Sequence, residues 1–173
     1  AFAVEFYKNG KLLRNKIKNH PRYPYHLLRE EMQEFILDKL QLLIERKLIK
    51  GIGENGTEYT VIAQILDLPK EILRLIQKFD FTKKNPKLIY INTGETMISL
   101  QDSILVTFLN LAGFDILFFV PTGYQSVENY FAEKLMEEHQ IGEYKYDMQV
   151  PDLNNISTNS TRPSWRRKLF RRG

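Results

Sequence analysis

Two short loops carry the residues best suited to holding a ligand: Asn92-Thr93-Gly94-Glu95-Thr96 and Pro121-Thr122-Gly123-Tyr124. Each sets Thr-Gly directly after a short apolar run and a few residues before a helical period. Glycine permits close backbone approach and positive φ. Threonine hydroxyls and the free amides of a helix N-terminus can hold a phosphate or a carboxylate. Thr93, Gly94, Thr122 and Gly123 would shape such a pocket, and Tyr124 would stack on a ring. Glu95 would accept from a ribose or sugar hydroxyl, with Thr96 beside it. The ligand expected is a nucleotide, a nucleotide-sugar or a phosphosugar. Glu95 and the acidic sequence around it oppose a simple anion. Gly, Ser and Thr also build ordinary capping turns in α/β proteins, so each loop alone has a plainer reading.

No catalytic constellation accompanies these loops. His20, His26 and His139 are scattered, and neither H-E-x-x-H, G-x-S-x-G nor a full dinucleotide fingerprint occurs. Gly51 to Gly56 holds three glycines, but without a phosphate-loop spacing or a preceding strand it reads as a helix-stop loop. The chain has no cysteine, which excludes thiolate nucleophiles, disulfides, thiolate zinc sites and iron–sulfur clusters. No metal set and no particular cofactor can be read.

The two loops need strands and helices to position them. Leu88-Ile89-Tyr90-Ile91 and Ile116 to Val120 are continuous apolar runs, as in parallel strands buried on both faces. Between them Ser99 and Asp102 resemble a capping box, opening a helix that Gly113 stops. Ser126 would cap a second helix, and alternation at Tyr144, Tyr146, Met148 and Val150 predicts a third strand. Strand, helix, strand, helix, strand gives a small parallel-sheet βαβαβ unit, a Rossmann-like half, within an α/β fold. A mainly helical segment precedes it. Phe2, Val4 and Phe6 alternate before Asn9-Gly10, which predicts a hairpin returning over Lys11 to Ile17. A helical period runs from His26 to Lys50, stopped by Gly51. Further helices are expected from Thr57 to about Leu66 and from Pro69 to about Phe79. The divisions read this way are 1–84, 85–153 and 154–173, the last a linker and basic tail.

At 173 residues the chain is one domain, or one with an appendage. It begins on alanine and has no apolar run of membrane-spanning length, so it is expected to be a cytoplasmic piece of something longer. The net charge of +4 hides three zones: +5 over residues 1–84, −7 over 85–161 and +6 over 162–173. The acidic middle disfavours nucleic acid, which wants one continuous basic face. In the tail, Trp165 and Leu169 share a helical face amid Arg166, Arg167, Lys168, Arg171 and Arg172. Such a peptide suits a partner protein or peripheral contact with an anionic membrane. It suits a solubilising end equally.

The strings Asn85-Pro-Lys-Leu-Ile-Tyr-Ile-Asn-Thr-Gly-Glu-Thr-Met, Phe108-Leu-Asn-Leu-Ala-Gly-Phe-Asp-Ile and Phe119-Val-Pro-Thr-Gly-Tyr resemble the bacterial YceG-like family, as does the basic Ser-Trp-Arg-Arg-Lys-Leu-Phe-Arg-Arg-Gly end. Members of that family are described as candidate components of a "biosynthetic module". The resemblance implies the C-terminal part of a longer protein, a setting of tellurium-resistance and stress-response genes, and partners among stress proteins. It supplies no catalytic residues. Two readings stand: a ligand-binding domain of a biosynthetic enzyme, or a non-catalytic module docking through its tail.

Overall fold

The computed structural model describes residues 3–78, 85–94, 98–124 and 128–150 of the 173. The alternating start does not become a strand: Ala3–Phe6 is a turn of 3-10 helix that buries Ala3 and Phe6. The hairpin forms one turn later, with β1 (Tyr7–Lys8) antiparallel to β2 (Lys11–Leu12) and Tyr7 opposite Leu12. Asn9 and Gly10, at φ 52° and 79°, make the tight reversal that this dipeptide favours. The return strand is two residues long, because Arg14–Lys18 coils into helix α1 and buries Ile17. Gln41 replaces the missing pairing: its Oε1 accepts from the Leu12 amide at 2.7 Å, and its Nε2 donates to the Gly10 carbonyl at 3.0 Å.

Helix α2 spans Glu30–Glu45, shorter at both ends than the apolar period suggests. Two prolines, Pro21 and Pro24, precede it in a turn-rich stretch that buries Tyr23 and Tyr25. The helix ends at Arg46, with Lys47 in the left-handed region at φ 50°. A lysine therefore takes the position expected of Gly51, which lies in the following turn. Ile36, Leu37, Leu40, Leu43 and Ile44 line the buried face of α2. Its other face is tied to α1 by ion pairs of Arg14 with Glu34 and Asp38, and of Lys18 with Glu30 and Glu34. Helices α3 (Thr57–Ile65) and α4 (Lys70–Lys78, directly after Pro69) match the expected periods. Phe79, the expected end of α4, lies outside the described residues.

Strand β3 (Lys87–Ile91), helix α5 (Leu100–Leu111) and strand β4 (Asp115–Phe119) then form one β–α–β unit with parallel strands, Lys87 opposite Asp115 and Ile91 opposite Phe119. Ser99 caps α5 as its sequence predicts: Oγ accepts from the Asp102 amide at 3.0 Å and lies 2.6 Å from the Asp102 carboxylate. Gly113, at φ 101°, ends the helix. Helix α5 packs on α2 and α3, so Ile104, Phe108 and Leu109 share one core with Leu40, Val61, Ile62 and Ile65.

The βαβαβ expectation is corrected here. Among the described residues the parallel sheet has two strands, and no helix follows β4. Ser126 and Val127, the expected start of that helix, lie outside the described residues. Residues 128–131 are drawn instead into pairing with the turn after α2. Phe131 bridges Ile49, the Lys50 amide donates to the Tyr130 carbonyl at 2.9 Å, and the Ala132 amide donates to the Leu48 carbonyl at 3.0 Å. Burial of Phe131 at 4% exposure outweighs the local helical period. Residues 144–150 are exposed and form no strand. The coarser expectation, an α/β chain with a small parallel sheet, stands.

Candidate functional site

The parallel register carries both Thr-Gly loops to the carboxyl end of the sheet, the edge at which open α/β sheets hold ligands. The ladder extends one bond further, from the Asn92 amide to the Phe119 carbonyl at 2.9 Å. Thr93 and Gly94 leave from β3, and Thr122, Gly123 and Tyr124 from β4. In the first loop the Asn92 side-chain oxygen accepts from the Gly94 amide at 3.3 Å. Thr93 is half-buried and Gly94 exposed, while Glu95 and Thr96 lie outside the described residues. In the second loop Thr122 is buried, and its hydroxyl accepts from the Tyr124 amide at 3.4 Å. Tyr124 is 53% exposed, available for stacking.

Gly123 has a role that the sequence hides. Its φ is +69°, and a Cβ placed there would meet the Tyr144 ring at 2.1 Å. Close approach is indeed what the glycine permits, but to Tyr144 of the same chain. The Lys145 amide fixes that return by donating to the Pro121 carbonyl at 2.8 Å. The sequence alternation places Tyr144 in a strand; in the fold its ring lies against this turn instead.

The electrostatics of the edge are unfavourable to a bare anion. Asp102 sits in the first turn of α5, where it complements the helix dipole and occupies the Ser99 hydroxyl. Tyr90, stacked on Phe118 at 5.0 Å between ring centroids, faces α5. Burial first, and the negative Asp102 second, push its phenol above the ordinary value. At the opposite, amino end of the sheet Lys87 and Asn85 hold Asp115 below the usual carboxylate range.

Elsewhere, the Gly51–Gly56 loop is a structural turn. Its Gly53 amide donates to the Glu58 carboxylate at 3.0 Å, which occupies a group a phosphate would use. The histidines are dispersed: the His20 ring lies edge-on to Phe6, His26 Nδ1 lies 3.0 Å from the Tyr23 carbonyl, and His139 lies 3.7 Å from Glu137. Among the described residues no group of three His, Asp or Glu side chains is placed to hold a metal, and no helix is long and apolar enough to cross a membrane. The tail residues Trp165, Arg166, Arg167, Lys168, Arg171 and Arg172 lie outside the described residues.

Sequence reasoning missed one surface. The expected burial of β3 and β4 on both faces fails on the side away from α5. Leu88, Ile116 and Phe118 pack inward, with Tyr90 half-buried against Phe118, whereas Ile89, Ile91, Leu117 and Phe119 are exposed, at 55%, 39%, 49% and 38%. Parallel strands rarely leave such a face open. The continuous apolar runs are the signal of a two-sided environment, and these residues supply one side of it.

Comparison with known proteins places these features in a family. "Uncharacterized protein YceG" of Bacillus subtilis (strain 168) is 31% identical over 93 residues, which is 52% of this chain and 17% of that relative. The aligned part thus spans about a sixth of the relative's length. No solved structure matches. The YceG domain model matches residues 1–161, so the chain belongs to the YceG family.

Proposed function

We propose that the carboxyl edge of β3 and β4 binds a nucleotide, nucleotide-sugar or phosphosugar, as part of a larger biosynthetic enzyme. One observation supports this reading above the others. The parallel pairing of Ile91 with Phe119 sets Thr93-Gly94 and Thr122-Gly123 side by side on one edge, with Tyr124 exposed beside them. The acidic environment favours a ligand recognised through hydroxyls and a ring rather than through phosphate alone.

Thermal unfolding against a panel of such ligands tests it. A ligand at 100 times its dissociation constant adds about 2.7 kcal/mol. For a chain of this size that raises the midpoint by roughly 5–10 °C. Tyr124→Ala and Gly94→Val both lie on exposed positions and should abolish the shift without altering the unliganded midpoint. Gly123 is no probe, because Tyr144 already requires it. A shift that survives both substitutions, or a panel with no shift, refutes the proposal. A second reading, an interaction module serving stress-response partners or an anionic membrane surface, is supported by the open apolar face of the sheet.

A further inference from the structure

The open face of β3–β4 is the feature of this molecule with the least physical justification as it stands. Side-chain alternation puts Lys87, Ile89 and Ile91 of β3 on it, beside Asp115, Leu117 and Phe119 of β4. Four large apolar side chains, all more than a third exposed, lie in adjacent register. A patch of this kind marks a contact surface. We propose that its occupant is this chain's own C-terminal segment, residues 162–173, with Trp165, Leu169 and Phe170 against Ile89, Ile91, Leu117 and Phe119.

Three observations favour this occupant. The first is charge. Residues 85–150 hold nine acidic and three basic side chains, whereas residues 162–173 hold six basic and no acidic ones. A second copy docking by the same face would bring two acidic regions together; the tail brings the opposite sign. The second is reach. The Lys145 amide is tied to the Pro121 carbonyl, so the chain departs from beside the end of β4. Nineteen residues separate Lys145 from Trp165, an extended length of about 60 Å, which exceeds the length of the sheet several-fold. Covalent attachment then supplies a high effective concentration, so a weak patch contact is enough. The third is composition. The tail carries three large apolar side chains, Trp165, Leu169 and Phe170, to set against the four exposed apolar side chains of the face.

Trp165 is the chain's single tryptophan and reports directly on the contact. In the full 173-residue chain its emission should be blue-shifted and shielded from acrylamide. Leu117→Lys with Phe119→Lys should move the emission to that of the denatured chain, while far-UV circular dichroism stays unchanged. High salt should weaken the shielding of the parent chain. As a second measurement, a 162–173 peptide should bind the chain truncated at residue 161 and lose that binding with Phe119→Lys. Emission already at the denatured position overturns the proposal, as does a blue shift indifferent to both lysines. A blue shift that appears only with phosphatidylserine vesicles assigns the tail to a membrane, and one that grows with protein concentration assigns the face to a second copy. Either result also overturns it. None of these readouts depends on the ligand proposed for the carboxyl edge.

Discussion

Tyr23 and Tyr25 are neighbours in one core, with rings 5.6 Å apart and edge-on, yet removing their hydroxyls should have opposite consequences. Both are buried, at 3% and 1% exposure. The Tyr25 hydroxyl donates to the Ile65 carbonyl at 2.5 Å and accepts from the Leu68 amide at 2.9 Å. Ile65 is the last residue of α3, where carbonyls lack an intrahelical partner. Tyr25 therefore closes the end of α3 from the segment that precedes α2. Tyr25→Phe leaves a buried carbonyl and a buried amide without that partner. Each such group costs about 1–3 kcal/mol, so the pair should cost about 2–4 kcal/mol after partial relaxation. At 2–4 °C per kcal/mol, that lowers the midpoint by roughly 5–15 °C. The Tyr23 hydroxyl is also buried but has no hydrogen-bond partner among the described residues. Tyr23→Phe removes an unsatisfied polar atom, and its effect should lie within about 0.5 kcal/mol of zero or be stabilising. Urea unfolding of the two variants, with equal m-values, measures the contrast. Equal losses in both, or a larger loss in Tyr23→Phe, would refute the reasoning.

The same two phenols make the fold sensitive to alkali. Burial pushes Tyr23 up to about 12 and Tyr25 further up, so the folded state keeps protons that the unfolded chain releases near 10. Stability is therefore unaffected below about pH 10 and falls as pH rises from about 10 toward 12, because the buried phenols cannot ionise without unfolding. Urea midpoints that stay flat from pH 9 to 11.5 would contradict this. Ser99→Ala removes the hydroxyl that caps α5 and should cost about 1 kcal/mol; a cost below about 0.3 kcal/mol would mean that Asp102 alone satisfies the helix end.

Much of the architecture could be read from local chemistry. Asn9-Gly10, the Ser99 cap, Pro69 and Gly113 act within a few residues, and each does in the fold what its type dictates. The errors arose where distant partners decide. Residues 128–131 carry a helical period, but Ile49 and the burial of Phe131 claim them for a bridge. Gly123 is of the type that a ligand loop uses, and only the position of Tyr144, 21 residues on, reveals the internal contact that requires it. The site itself was half legible. Which edge the loops share follows from parallel pairing, whereas the acidic cap at Asp102 and the open face of the sheet depend on tertiary placement.

The bridge between Ile49 and Phe131 also bears on the order in which the molecule assembles. Closing a loop of about 80 residues in an unfolded chain costs about 4 kcal/mol of entropy, too much for one bridge and its flanking bonds to repay. Once α5 has packed on α2 and α3, β4 is tied to the same core through α5, and about a dozen residues remain to close. On this count the bridge is expected to form after the helices have condensed. It is a latch on a finished core rather than part of the nucleus, and the segment beyond it is held to the sheet edge again only where the Lys145 amide reaches the Pro121 carbonyl.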